Sequence, residues 1–258
     1  MKTLKIGSKG DEVVLLQKKL GIKADGDFGP ATEKAVKEFQ KKHAKECGEA
    51  DGIVGNKTWA ALGVSDSKCV DPSVRYSPLK SCITHTPNRD IKYLVYHYTA
   101  GGSSAPGRAV SMKNSWEKTK RASADFGIDD STIVQFNPDL KNYSCWHCGD
   151  KLNPYSGGGK YYGKATNRNS IGVEICSNLR PGYDHTKVNH EGWYFTKEEL
   201  DNAIKLGKIL MKKYNIPIER VLRHYDVSGK VCPGLLGWTD TKGNNSKEWE
   251  KFKNRLKN

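Results

Sequence analysis

The chain has 258 residues, a formal net charge of +14 and a hydrophobic content of 36%. This length suits one large domain or two smaller ones, and the apolar content is sufficient for a packed core. Because no apolar run approaches the roughly 18 residues of a transmembrane helix, membrane insertion is not expected.

The positive charge suggests an anionic partner. The lysines are spread along the whole chain, and no basic stripe with interleaved aromatic residues appears, so no nucleic-acid partner is expected. A polyanionic cell wall would account for the same charge. Charge alone does not choose between these two partners.

The cysteines and the first residues bear on the cellular compartment. Residues 1–8 contain no apolar core of a signal peptide, which predicts a protein made in a cytoplasm and kept there until something else releases it. Seven cysteines without a signal peptide indicate free thiols or metal ligands. Cys145 and Cys148 have the C-x-x-C spacing of a redox or zinc motif, but no second pair accompanies them, which favours two small buried thiols.

An internal repeat occupies the first part of the chain. Residues 25–32 (DGDFGPAT) recur as residues 51–58 (DGIVGNKT), and each copy is typical of a glycine-rich turn that leads into a helix. A third helix is predicted over residues 13–20 from the spacing of its apolar positions. The sequence therefore predicts a three-helix unit. A calcium loop at residues 25–27 is disfavoured because Val36 occupies the place of its bidentate glutamate.

The middle of the chain predicts a buried strand and a hairpin. Residues 91–102 are rich in β-branched and aromatic residues and end in two glycines, which predicts a strand with His97 near its carboxyl end. A histidine in such a strand is more often a core residue than a ligand. Residues 105–120 favour a helix, and residues 122–136 favour a hairpin that turns at Asp129 and Asp130.

The second half predicts another strand and a long helix. Residues 169–176 (NSIGVEIC) suit a central strand in which Glu174 is anomalous, although simple alternation would point it to solvent. Thr196 and Glu199 form a capping box at the start of an amphipathic helix. The glycine-rich residues 153–166 predict a functional or mobile loop, and residues 249–256 a short terminal helix.

One segment, residues 222–234 (LRHYDVSGKVCPG), concentrates reactive groups in what is predicted to be a tight loop. Neutral His224 and the Cys232 thiolate are good zinc ligands, and the Lys230 ammonium is suited to stabilise an anion. A catalytic zinc site requires a third protein ligand. The best candidate elsewhere in the chain is His97.

The repeat resembles the peptidoglycan-binding domain type 1 family. The string G-x-x-G-x-x-V-x-x-L-Q-x-x-L and the two D-G-x-[FV]-G-x-x-T units carry the resemblance. It implies that residues 1–63 form a three-helix peptidoglycan-binding domain. Residues 64–74, irregular in composition, are then a linker.

Residues 75–258 resemble the zinc-dependent N-acetylmuramoyl-L-alanine amidases of the type-2 family, in the phage endolysin and autolysin branch. Four ordered strings carry the resemblance: 95–100 (VYHYTA), 146–149 (WHCG), 169–174 (NSIGVE) and 224–233 (HYDVSGKVCP). The resemblance implies an α/β catalytic domain with a mixed central sheet flanked by helices. It also implies zinc as the cofactor, with three ligands: His97, His224 and Cys232.

The resemblance further implies roles for other residues. Glu174 would move a proton from the attacking water to the leaving amine, and Lys230 would stabilise the oxyanion. His147 matches a histidine near the cleft and is implied to bind substrate. Ala124 and Asp125 stand where several relatives carry an aromatic residue and a histidine, so the catalytic tyrosine of some phage members has no counterpart there.

The implied function is hydrolysis of the amide between N-acetylmuramic acid and the L-alanine of the stem peptide, with peptidoglycan as the partner and a monomeric enzyme. A phage endolysin is favoured over an autolysin of the host. The alternative from another class is a non-catalytic peptidoglycan-recognition protein. Such proteins typically lose the cysteine ligand, whereas Cys232 is present here.

Overall fold

The computed structural model describes residues 3–62, 70–71, 73–100, 108–187, 190–239 and 246–258. The chain divides into two compact units, Met1–Arg75 and Tyr76–Asn258. Most of the predicted linker, the glycines predicted at 101–102, the predicted helix start at 105 and Cys69 lie outside the described residues. No helix in the described part of the chain combines the length and apolar character that a membrane crossing requires.

The first unit is helical. Its helices are α1 (Asp11–Leu20), α2 (Pro30–Lys42), α3 (Ala44–Cys47) and α4 (Asn56–Ala61). Three of them confirm the predicted helices, and their apolar faces enclose a core that includes Phe28 and Trp59. The short α3 was not predicted. It forms because His43 leaves the helical conformation and the chain makes one further turn before Gly48, whose φ of 81° ends it.

Each repeated turn is organised by a buried glutamine from the preceding helix. Gln17 Nε2 donates to Asp25 Oδ1 at 2.7 Å and to Thr32 Oγ1 at 3.0 Å, while Gly26 N donates to Gln17 Oε1 at 2.9 Å. Gln40 makes the same three contacts in the second copy, with Asp51, Thr58 and Gly52. The repeated Asp, Gly and Thr are therefore explained by the structure of the turn.

The second unit is α/β, as predicted. Its strands, counting the one that begins at the unit boundary, are β1 (Arg75–Tyr76), β2 (Ile83–His85), β3 (Tyr93–Tyr98), β4 (Phe126–Ile128), β5 (Ile133–Gln135), β6 (Tyr143–Cys145), β7 (Ser170–Ile175), β8 (Asn178–Leu179), β9 (Trp193–Tyr194) and β10 (Val221–Arg223). Its α-helices are α5 (Arg108–Thr119), α6 (Lys197–Tyr214), α7 (His224–Ser228) and α8 (Lys247–Lys257).

The central sheet is mixed and has six strands, in the order β1-β5-β4-β7-β3-β10. The neighbours β4, β7, β3 and β10 run parallel, and β5 pairs antiparallel with β4. The last pair confirms the predicted hairpin. Parallel strands bring their carboxyl ends to one edge of the sheet, where ligand sites of α/β folds lie.

The sequence patterns predicted α6 well and α7 poorly. The Thr196 side chain accepts from Glu199 N, and Glu199 returns the contact, so the capping box is present. The segment 222–234, predicted as a loop, instead contains the end of β10 and the whole of α7. That helix forms because Asp226 Oδ2 accepts from Arg223 N at 2.8 Å at its start, and it ends at Gly229, whose φ is 78°.

Candidate functional site

Three buried donors meet at the carboxyl edge of the central sheet. His97 lies on β3, His224 is the first residue of α7, and Cys232 follows that helix. Their ligand atoms all lie within 4.8 Å of one another. Cys232 Sγ is 3.8 Å from His97 Nδ1, and the two imidazole centroids are 4.6 Å apart. The structure thus brings together the residues expected to hold a metal.

This donor set fits a zinc ion. Zinc bonds of about 2.1 Å to nitrogen and 2.3 Å to sulfur place tetrahedral ligands about 3.6 Å apart, close to the distance between Cys232 and His97. Burial lowers the pKa of His97 and of His224, so both rings stay in the neutral form that binds metal. Burial raises the pKa of the Cys232 thiol, and a bound cation opposes that effect by stabilising the thiolate.

Glu174 lies beside the donors. It is the register partner of His97 in the parallel pair of β7 and β3, so the two side chains leave the sheet on the same face. Its Oε2 is buried and has no hydrogen-bond partner among the described residues. Burial raises the pKa of Glu174 to about 7, with the charge of Lys230 opposing the shift. The carboxyl therefore faces the site, not bulk solvent.

Asp150 contacts two site residues, and the sequence had suggested no role for it. Its Oδ2 lies 2.8 Å from His224 Nε2 and 3.4 Å from Lys230 Nζ. The first contact is close but lacks the direction of a hydrogen bond, and His224 Nε2 has no hydrogen-bond partner among the described residues. The contact with His224, and then the charge of Lys230, lower the pKa of Asp150 to about 2.

The predicted site residues line one cavity of about 470 Å³. The donors and Glu174 lie in its wall, and Lys230 is exposed at its rim. Asp150 also lines it. Its position directly after the WHCG string is the one signal by which the sequence could have suggested it.

His147 lines the same cavity and contacts a metal-ligand candidate. Its Nδ1 lies 3.2 Å from His97 Nε2 and 3.0 Å from Cys148 Sγ. Burial lowers the pKa of His147 to about 4, with the charge of Asp125 opposing the shift, so the ring is neutral near pH 7. Substrate binding by His147 stays a prediction.

The C-x-x-C pair occupies two different surroundings. Cys145 is fully buried in an apolar cluster. Cys148 is partly buried beside His147, and burial raises the pKa of its thiol to about 12. Both are free thiols. His97, His147 and Cys148 also lie within 4.8 Å of one another, as a second group of possible ligands.

Curated relatives match somewhat more than half of the chain. An N-acetylmuramoyl-L-alanine amidase CwlA of Bacillus subtilis is 36% identical over 142 residues, which cover 55% of this chain and 43% of the relative. The enzyme CwlH of the same species is 35% identical over 146 residues, covering 56% and 48%. This chain therefore spans less than half the length of these relatives.

Solved structures also align. The catalytic domain of XlyA is 26% identical with a TM-score of 0.45, and the alignment covers 71% of this chain and 98% of that domain. A mutant endolysin from Bacillus subtilis is 26% identical with a TM-score of 0.47, covering 71% and 97%.

Two family models match the chain. Residues 9–62 match a putative peptidoglycan binding domain. Residues 87–235 match N-acetylmuramoyl-L-alanine amidase. The second match confirms the resemblance of the second half, and it takes in the three donors and Glu174. Because it extends over more than half of the sequence, the chain belongs to the N-acetylmuramoyl-L-alanine amidase family.

Proposed function

We propose that this chain is a peptidoglycan hydrolase that cleaves the amide between N-acetylmuramic acid and the L-alanine of the stem peptide. The relatives carry the name of this activity. Since the chain spans less than half of their length, the activity is carried over as a proposal. The observation that supports it best is the convergence of three buried donors and Glu174 on one cavity, with Glu174 Oε2 left without a hydrogen-bond partner among the described residues.

The proposed cofactor is zinc, held by His97, His224 and Cys232. When bound, zinc acidifies a water molecule and polarises a carbonyl. A metal-binding site beside a carboxyl whose pKa is about 7 suits hydrolysis, whereas binding alone needs no such proton acceptor. This favours an enzyme over the non-catalytic recognition protein.

The residues of the chain have complementary tasks in this reaction. Glu174 takes a proton from the attacking water and gives it to the departing amine of L-alanine as the carbon–nitrogen bond breaks. Lys230 donates a hydrogen bond to the oxygen that carries negative charge in the tetrahedral intermediate. Asp150, at 3.4 Å from Lys230 Nζ, holds that ammonium near the cavity.

The first unit is proposed to bind the wall polymer and so to concentrate the catalytic unit on its insoluble substrate. The family match over residues 9–62 supports this role. A phage endolysin, held in the host cytoplasm until release and active as a monomer, stays a prediction.

Mass spectrometry of digested cell walls tests the proposal. We expect soluble stem peptides with free L-alanine amino termini and glycan strands without new reducing ends. Walls treated with the Glu174→Gln protein are the control and should release no peptides. New reducing sugar ends, or peptides cleaved at another amide, would overturn the assignment.

A further inference from the structure

A chain of buried polar groups leads away from the metal site through His147. On one side, His147 Nδ1 lies 3.2 Å from His97 Nε2. On the other side, His147 Nε2 lies 3.3 Å from Ser170 Oγ, and Ser170 Oγ donates to Thr166 O at 2.5 Å. His97, His147 and Ser170 are all buried, so these groups depend on one another for hydrogen bonds.

The carbonyl at the end of this chain sets the direction of every hydrogen bond. A carbonyl oxygen only accepts, so the single hydroxyl proton of Ser170 points to Thr166. Ser170 Oγ can then only accept from His147, which places the proton of that neutral ring on Nε2. The free lone pair on His147 Nδ1 accepts from His97 Nε2. His97 is left with an unprotonated Nδ1, the atom that faces Cys232 at 3.8 Å.

We propose that His147 is a positioning residue for the metal ligand His97. By accepting the Nε2 proton of His97, it fixes the ring orientation and the tautomer in which Nδ1 is free to bind the ion. Hydrogen bonds of this kind from neighbouring groups typically raise metal affinity by about 10- to 100-fold. The inference rests on the metal site of the proposed function but not on its substrate.

The surroundings of His147 support the same direction. Asp125 Oδ2 lies 3.8 Å from His147 Nε2, so an acceptor faces the edge of the ring that carries the proton. Asp125 is itself held by Gly172 N at 2.8 Å and by the guanidinium of Arg89 at 3.5 Å, and both side chains of this ion pair are fully buried. A Cβ at Gly172 would collide with the ring of His147. The position of the His147 ring is therefore fixed by close packing and by buried polar groups.

An alternative is that Cys148, His97 and His147 together bind a second metal ion. Cys148 Sγ lies 3.0 Å from His147 Nδ1, whereas two ligands of one tetrahedral zinc stand about 3.6 Å apart. The shorter distance is that of a direct contact between the two atoms, which does not match two ligands of one tetrahedral ion.

Nitrogen NMR of the metal-free full chain, labelled with ¹⁵N-histidine, reads the tautomers directly. The signals of the seven histidines are assigned with single-residue variants. We expect the proton of His97 on Nε2 and the proton of His147 on Nε2 at neutral pH. A proton on Nδ1 of either ring would overturn the proposal, whatever the enzyme does to cell walls.

Zinc affinity, measured by competition with a chromophoric chelator, tests the consequence for the metal. His147→Phe and His147→Gln should weaken zinc binding by about 10- to 100-fold, because neither places an acceptor at the position of Nδ1. His147→Asn places its amide oxygen there and should bind nearly as tightly as wild type. The exposed His185→Asn is the matched control and should not change affinity.

Two results would overturn the inference. Wild-type zinc affinity in His147→Phe, with only KM raised, would assign His147 to substrate binding. A second zinc ion per chain that is lost in Cys148→Ser would assign these side chains to a metal site of their own. Circular dichroism checks that each variant is folded, and the NMR experiment on the wild-type chain remains decisive where a variant is not.

Discussion

His97 and Glu174 are register partners on the neighbouring parallel strands β3 and β7. A ligand of the proposed metal site and the proposed proton carrier therefore stand side by side on the same face of one sheet. Their separation is set by backbone hydrogen bonds and not by flexible loops. This arrangement allows the two functions to be separated by mutation.

Glu174→Gln should abolish hydrolysis and keep the metal. The amide has nearly the shape of the carboxyl but does not accept a proton from water, so we expect a fall in kcat of about 100- to 10,000-fold. Zinc content by atomic absorption should stay at the wild-type value. The exposed Glu198→Gln is the control. Full activity in Glu174→Gln would move the role of base to another group.

The same residue should make the stability of the zinc-free protein depend on pH. The pKa of Glu174 is raised from 4.5 to about 7 in the folded state, which means that the protonated carboxyl favours folding. This contribution to the free energy of unfolding is complete below about pH 4.5 and is lost as the pH rises through about 7.

This dependence can be measured by urea unfolding of the wild-type and Glu174→Gln proteins at pH 5 and pH 8. The free energy of unfolding of the variant, relative to that of the wild type, should rise by at most about 3 kcal/mol from pH 5 to pH 8, since one pKa unit corresponds to about 1.4 kcal/mol. Comparing the two proteins cancels the contributions of all other titrating groups, which they share. A difference that does not vary with pH would contradict the prediction.

Cys232→Ala should empty the metal site. Two histidines alone do not complete the three-ligand set of a catalytic zinc, so zinc should be lost on dialysis and activity with it. Cys47→Ala removes a buried thiol of the first unit, and this control should keep both its zinc and its activity. Treatment of the wild-type protein with a chelator should abolish activity, and added zinc should restore it. Retention of zinc by Cys232→Ala would mean that the ion is held elsewhere.

Lys230→Met should lower kcat by about 100- to 1,000-fold, the usual cost of losing one group that stabilises an oxyanion. Because Lys230 is exposed at the rim of the cavity, the variant should fold normally and bind zinc as before. Lys160→Met, which alters an exposed lysine of the glycine-rich loop, provides the matched control. An unchanged kcat with a raised KM would limit Lys230 to substrate binding.

Gln17→Ala and Gln40→Ala should destabilise the first unit to a similar extent. Each leaves buried groups of one repeated turn without their hydrogen bonds, at a typical cost of about 1–3 kcal/mol per group. Hydrogen exchange by mass spectrometry should show faster exchange in residues 25–32 and 51–58, respectively. The exposed Glu38→Ala on α2 is the control. An effect in only one of the two turns would contradict their equivalence.

The sequence predicted the reactive residues better than the contacts between them. His97 and Glu174 stood out because a histidine and a carboxylate interrupt apolar strand patterns, and His224 and Cys232 because they share one short segment. Periodicity also located α6, where the capping box and the apolar face agree.

The supporting residues were missed for a physical reason. Asp125 and Ser170 reach His147 only because β4 and β7 are neighbours in the sheet, and strand order is not readable from local patterns. The helix α7 has five residues, too few to show helical periodicity. Its formation depends on a cap and on contacts with distant parts of the chain.

The contact between His97 and Cys232 joins parts of the chain that are synthesised at different times. His97 and Cys232 are separated by 135 positions, and a ribosome adds about 5–20 residues per second from the amino terminus. The sheet strand that carries His97 therefore emerges several seconds before its sulfur partner. A truncated product that ends between residues 75 and 232 carries the first unit without a complete ligand set. If that unit binds the wall as proposed, such a fragment would occupy the polymer without cutting it.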